Sequence, residues 1–174
     1  MSLRDAASNY FMELQDRITE SLSVIDGQAF REDVWERDGG GGGRTRVLED
    51  GRIFEKGGVN FSSVHGNLPE EFADEIPLGT GTAFYAAGIS LVIHPRNPMV
   101  PIVHANFRYL EKGDASWFGG GVNLTPSYPY PADCSHFHET LKAACDGHNP
   151  DYYPKFKKWC DEYFYLKHRD ETRG

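Results

Sequence analysis

Apolar residues recur at three- and four-residue intervals from Ser2 to Val24, where Leu3, Ala7, Tyr10, Phe11, Leu14, Ile18 and Leu22 line one face of an amphipathic helix. Ser2 with Asp5 three residues on reads as a capping pair, and Asp26-Gly27 as a stop. From Val34 the period shortens. Short strands are predicted around Val34-Trp35, Arg46 to Leu48, Ile53 to Lys56 and Val59 to Val64, with Asp50-Gly51 as a hairpin-type turn. Leu68 to Thr82 reads as a loop with one helical turn. Ala83 to His94 and Val103 to Tyr109 carry the clearest strand pattern, joined through Pro95, Asn97-Pro98 and Pro101, and a third strand is expected from Ser116 to Leu124. The chain then turns helical over Asp133 to Cys145 and Tyr153 to His168; in the second helix Phe156, Trp159, Cys160, Tyr163 and Phe164 make a stripe expected to be buried. A helix, then hairpin-connected strands, then helices predicts an α+β fold: a large, mostly antiparallel sheet flanked by helices. No repeat or boundary divides residues 1–174, so they read as a single domain.

Composition narrows the function. The 174 residues are 39% hydrophobic and 25% charged, the balance of an ordinary folded domain. Their net charge of −8 argues against a nucleic-acid partner, which needs a basic face. The longest uncharged apolar run, Ala83 to Ile93, is 11 residues, short of the ~20 needed by a transmembrane helix. No signal-peptide pattern opens the sequence, and three widely spaced cysteines (Cys134, Cys145, Cys160) read as reduced thiols of a cytoplasmic protein.

Candidate chemistry concentrates on the two clearest strands. Side chains alternate faces along a strand, so His104, Asn106 and Arg108 share a face opposite Val103, Ala105, Phe107 and Tyr109. A turn centred near Met99 would place His94 opposite His104, Val92 opposite Asn106 and Ser90 opposite Arg108. That face reads either as a solvated outer surface or as a cleft. Phe84, Val92 and two histidines fit poorly on a freely exposed face, and Asn, Arg and His together can orient a carboxylate, which favours the cleft. The run Gly39 to Gly43 followed by Arg44-Thr45-Arg46 is a second candidate, either a mobile surface loop or an anion-binding loop whose backbone N–H groups and arginines converge on a ligand. It matches neither the P-loop nor the dinucleotide-binding pattern. No H-E-x-x-H, close Cys/His spacing or G-x-S-x-G occurs, so metal ligands would have to come from distant segments and nucleophilic catalysis ranks low.

Several blocks carry a family resemblance. Gly43-Arg44-Thr45-Arg46-Val47-Leu48, Gly58-Val59-Asn60-Phe61-Ser62, His94-Pro95, His104-Ala105-Asn106 with Arg108, Trp117-Phe118-Gly119-Gly120-Gly121, Leu124-Thr125-Pro126, His136-Phe137-His138, Tyr153-Pro154-Lys155-Phe156 and His168-Arg169 resemble, in order, oxygen-dependent coproporphyrinogen III oxidase. The resemblance implies a sheet sandwiched by helices in a homodimer. It also implies oxidative decarboxylation of the ring A and B propionates of coproporphyrinogen III to vinyl groups, with O₂ as oxidant, in haem biosynthesis. By position it implies Ser90, Asn106, Phe107 and Arg108 as substrate-binding residues and His104 as a proton-handling catalytic residue. Arg44 and Arg46 are added as cations for the substrate's carboxylates. His94, His104, His138 and His168 match the family's divalent-metal ligands, and no organic cofactor is implied. Two positions depart from the family pattern: Asn123 stands where Asp is usual, and Ser116 where a second Trp is common. Family chains continue well beyond Gly174, so the sequence is expected to be the N-terminal part of such an enzyme. A non-catalytic fragment that binds tetrapyrrole carboxylates and a histidine-metal hydrolase are the competing readings.

Overall fold

A computed structural model describes residues 1–172 of the chain. Helix α1 (Leu3–Asp26) starts as its sequence requires: the Asp5 amide donates to Ser2 Oγ and the Ser2 amide to the Asp5 carboxylate, each at 3.1 Å. It stops at Gly27, whose φ of 85° is left-handed and favours a residue without Cβ. Six strands follow, β1 (Arg31–Glu36), β2 (Gly41–Glu49), β3 (Phe54–Asn67), β4 (Ala83–Pro95), β5 (Ile102–Lys112) and β6 (Ala115–Thr125). They form one antiparallel sheet in chain order, with the short α2 (Glu70–Glu75) between β3 and β4. Helices α3 (Pro131–Asp146) and α4 (Tyr152–Tyr163) pack on each other, and β7 (Tyr165–Leu166) with β8 (Glu171–Thr172) makes a small ribbon. The expected α+β class, an antiparallel sheet flanked by helices, is the class observed.

The register divides the sheet into two unlike faces. One presents Val59 and Phe61 of β3, Tyr85, Ala87, Ile89 and Ile93 of β4, and Tyr109 of β5, all buried against Ala7 and Phe11 of α1. Burial of this apolar surface is the main force holding α1 to the sheet. Two polar groups fix its placement. Gln15, fully buried, donates from Nε2 to the carbonyls of Arg44 and Val59 (2.7 Å each) and accepts from Arg44 Nε (2.7 Å). Asp26, 1% exposed at the other end of α1, accepts from the amides of Arg52, Ile53 and Phe54 at 3.1, 2.8 and 2.9 Å. Burial alone would raise its carboxyl pKa, but the three amides outweigh it and hold the group below the usual carboxylate value.

Several elements differ from expectation. The two short strands predicted over residues 53–64 are one continuous β3, because Gly57 and Gly58 lie flat within it and Gly57 packs against Ile93. The glycine run is neither a mobile loop nor an anion loop: Gly39 and Gly40 turn the chain, and Gly41 to Gly43 are strand residues of β2. A Cβ at Gly43 would run into the Trp35 ring, so glycine here lets an indole lie across the neighbouring strand. Helix α4 stops at Tyr163, before His168. Its stripe is not buried: Trp159 is 65% and Tyr163 80% exposed, because α4 packs on α3 rather than on the sheet. Among the described residues no helix is long and apolar enough to cross a membrane.

Candidate functional site

The second face of the sheet is open and polar. Cross-strand pairing sets Asp33, Thr45, Asn60, Ser90 and Asn106 side by side on β1 to β5, a row spanning roughly 19 Å at about 4.8 Å per strand. The next row runs Trp35, Gly43, Ser62, Gly88, Arg108, Gly119, and the row on the other side Arg31, Val47, Gly58, Val92, His104, Asn123. In the row from Trp35 to Gly119 glycines alternate with larger side chains and keep that strip of the face low. Asn60 and Arg108 are exposed, Ser90 and Asn106 half-buried, and these four side chains make no side-chain hydrogen bond or ion pair with any described residue. A row of unsatisfied donors and acceptors beside a free guanidinium is suited to a flat ligand bearing carboxylates.

The pairing is not the one expected from a turn centred on Met99. Ser90 faces Asn106, Val92 faces His104 and Gly88 faces Arg108. The turn forms at Asn97, whose carbonyl accepts from Val100 N (3.0 Å) and whose side chain accepts from Met99 N (3.0 Å), which draws the register back by two residues. An even shift leaves parity intact, so the same side chains still share the open face. His104 sits half-buried there with Nδ1 3.1 Å from Asn123 Oδ1.

Three of the residues named for substrate lie elsewhere. Arg44 and Arg46 occupy the α1 face, one residue out of phase with Thr45. Arg44 Nη2 and Arg46 Nη2 each pair with Asp16 at 2.7 Å, and Arg46 also pairs with Glu32 at 2.8 Å. Their charges are spent fastening α1 and β1 to β2, so they are not available as carboxylate anchors on the open face. The Phe107 ring also points to the α1 side, where with Ala6, Tyr10, Phe11, Leu14 and Phe118 it lines an apolar groove of about 580 Å³. Arg108 and Gly119 also line this groove.

The histidines expected as metal ligands do not converge. His94 and His104 are diagonal neighbours on the open face, His138 on α3 lies 3.1 Å from the Tyr153 hydroxyl, and His168 is exposed beyond β7. Burial, with Lys157 nearby, lowers the His138 pKa. Among the described residues no three His, Cys, Asp or Glu side chains come together as a metal site would need, so the donor set does not fit a metal and no chemistry is routed through one.

Comparison with known proteins gives the chain a family. The family model described as coproporphyrinogen III oxidase matches residues 6–174. The chain belongs to the coproporphyrinogen III oxidase family. A Prochlorococcus marinus protein named oxygen-dependent coproporphyrinogen-III oxidase is 55% identical, over 98% of this chain and 50% of its own length. A Synechococcus protein of the same name is 53% identical, over 98% of this chain and 48% of its own. The chain thus spans about half the length of these curated coproporphyrinogen III oxidases.

The open face of this family member holds residues that sequence reasoning passed over. Asn60 flanks Ser90 directly, with Thr45 and Ser62 beside it. A signal was present: Val59 and Phe61 alternate with Asn60 and Ser62, so β3 has the same polar-and-apolar division as β5.

Proposed function

We propose that the open face is the propionate-anchoring floor of a coproporphyrinogen III oxidase site. The observation that carries this reading is the row Asn60, Ser90, Asn106 with Arg108 beside it, all without side-chain partners among the described residues, next to a row in which glycines leave room for a flat macrocycle. Coproporphyrinogen III carries four carboxylates, and Arg108 offers a fork-shaped donor pair to one of them while the amides and hydroxyl hold others or the pyrrole N–H groups. Anchoring through these groups fixes which propionate reaches the reacting position.

At that position a propionate loses its carboxylate as CO₂ and a hydrogen, with its electron pair, from the methylene bonded to the pyrrole ring, so that the two remaining carbons form the double bond. Two electrons pass to O₂, which with one further proton leaves as hydrogen peroxide, and the side chain becomes vinyl. Repeated on rings A and B, the sequence gives protoporphyrinogen IX. His104, on the same face as Arg108, carries the protons in this reading. The enzyme is cytoplasmic and homodimeric in this reading, with O₂ as co-substrate and no organic cofactor.

A second reading, tetrapyrrole binding without turnover, is favoured by the openness of the face: Val92 at its centre is 39% exposed, whereas oxidation chemistry benefits from a site closed to water. One experiment separates them. The chain is incubated with coproporphyrinogen III in air, and products are followed by fluorescence chromatography alongside equilibrium binding. Appearance of a tricarboxylic intermediate and protoporphyrinogen establishes the enzyme; saturable binding with no product establishes the second reading; no binding refutes both.

A further inference from the structure

We propose that Asn123 is a positioning residue that fixes the tautomer of His104. Asn123 is 9% exposed at the register position directly across from His104, and its Oδ1 lies 3.1 Å from His104 Nδ1. The other end of the same amide is occupied as well, with Nδ2 donating to Thr125 Oγ1 at 3.0 Å. Both ends of a buried amide are thus engaged, with its oxygen towards the imidazole and its nitrogen towards Thr125. An amide oxygen only accepts, so the ring nitrogen facing it carries a proton. His104 is held as the Nδ1–H form, and its lone pair sits on Nε2, a nitrogen with no partner among the described residues.

A neutral imidazole in water favours the opposite form, with hydrogen on Nε2, so the protein reverses the ring's own preference. A histidine meant to accept a proton from a ligand on the open face needs Nε2 bare. The hydrogen bond to the other ring nitrogen is the usual device that sets this. A carboxylate at this position would serve the same orientation, so Asn retains the acceptor while adding no charge. The use of that lone pair in proton transfer rests on the function proposed above, but the tautomer itself is independent of any substrate.

Nitrogen NMR of the histidine rings in the chain, recorded where the rings are neutral, tests the assignment without activity. The expected result is a His104 signal with hydrogen on Nδ1 in the wild-type chain, lost in Asn123→Ala, where the ring reverts to the Nε2–H form. Asn123→Asp keeps an acceptor oxygen and is expected to restore the Nδ1–H signal. Amide spectra that overlay the wild type away from β5 and β6 establish that the variants are folded, and the Asp variant carries the test should the Ala variant not fold. An Nε2–H ring in the wild-type chain, or a ring whose tautomer is the same in all three, overturns the proposal.

Discussion

Arg44 and Arg108 are the same residue type on strands of the same sheet, yet they do opposite things. Arg44 lies on the face covered by α1, where it donates to Gln15, Asp16 and the carbonyl of Met12 and is lost to any ligand. Arg108 lies on the uncovered face with no acceptor among the described residues. The difference is one of strand parity and of which face the helix takes. Polar groups on the covered face are satisfied and hold the fold; on the open face Asn60, Ser90, Asn106 and Arg108 have no side-chain partner among the described residues, and that vacancy is what a ligand can fill.

The contrast is broken most severely from the covered side. Ile89, 2% exposed at the centre of the core, leaves a cavity when shortened, so Ile89→Ala is expected to cost about 3 kcal/mol by denaturant unfolding. Asp26→Ala strands three backbone amides and is expected to cost about 2 kcal/mol in the same measurement. Asp26 also gives the fold an acid limb. Its carboxyl is held below its unfolded value, so its contribution is complete above the unfolded pKa of about 3.9 and is lost as pH falls through the lower folded value. A melting profile taken from pH 6 downward is expected to flatten in Asp26→Asn relative to wild type.

On the open side the effects move from stability to binding. Ser90→Ala, one residue along from Ile89, is expected to change stability by no more than about 0.5 kcal/mol. The same change should weaken coproporphyrinogen III binding about five-fold, the worth of roughly one hydrogen bond. Asn60→Ala is expected to act in the same direction and to a similar or smaller extent, which equilibrium titration would read. A stability loss without a binding loss at Asn60 would remove it from the floor.

The faces were legible in the sequence because parity is a local property. Val103, Ala105 and Tyr109 alternate with His104, Asn106 and Arg108, and no tertiary information is needed to see it. Pairing was less legible: the hydrogen bonds that close the turn at Asn97 decide the register, and those depend on a side chain as well as on proline spacing. Arg44 and Arg46 were misread for a stronger reason. Nothing local tells which face of β2 will meet Asp16 and Gln15, residues nearly thirty positions away. The glycine run looked like a loop because composition cannot show that Trp35 will cross it. The α4 stripe had a helical period but no partner surface among the described residues, and periodicity alone does not supply one.

The most direct test compares Arg108→Ala with Arg44→Ala, measuring both coproporphyrinogen III affinity and unfolding free energy in each. Arg108→Ala is expected to weaken binding about ten-fold or more while leaving stability within about 0.5 kcal/mol. Arg44→Ala should lower stability by about 1–2 kcal/mol and leave the affinity of the folded chain unchanged. Equal loss of binding in the two, or binding lost only in Arg44→Ala, would contradict the division of the sheet into a structural face and a ligand face.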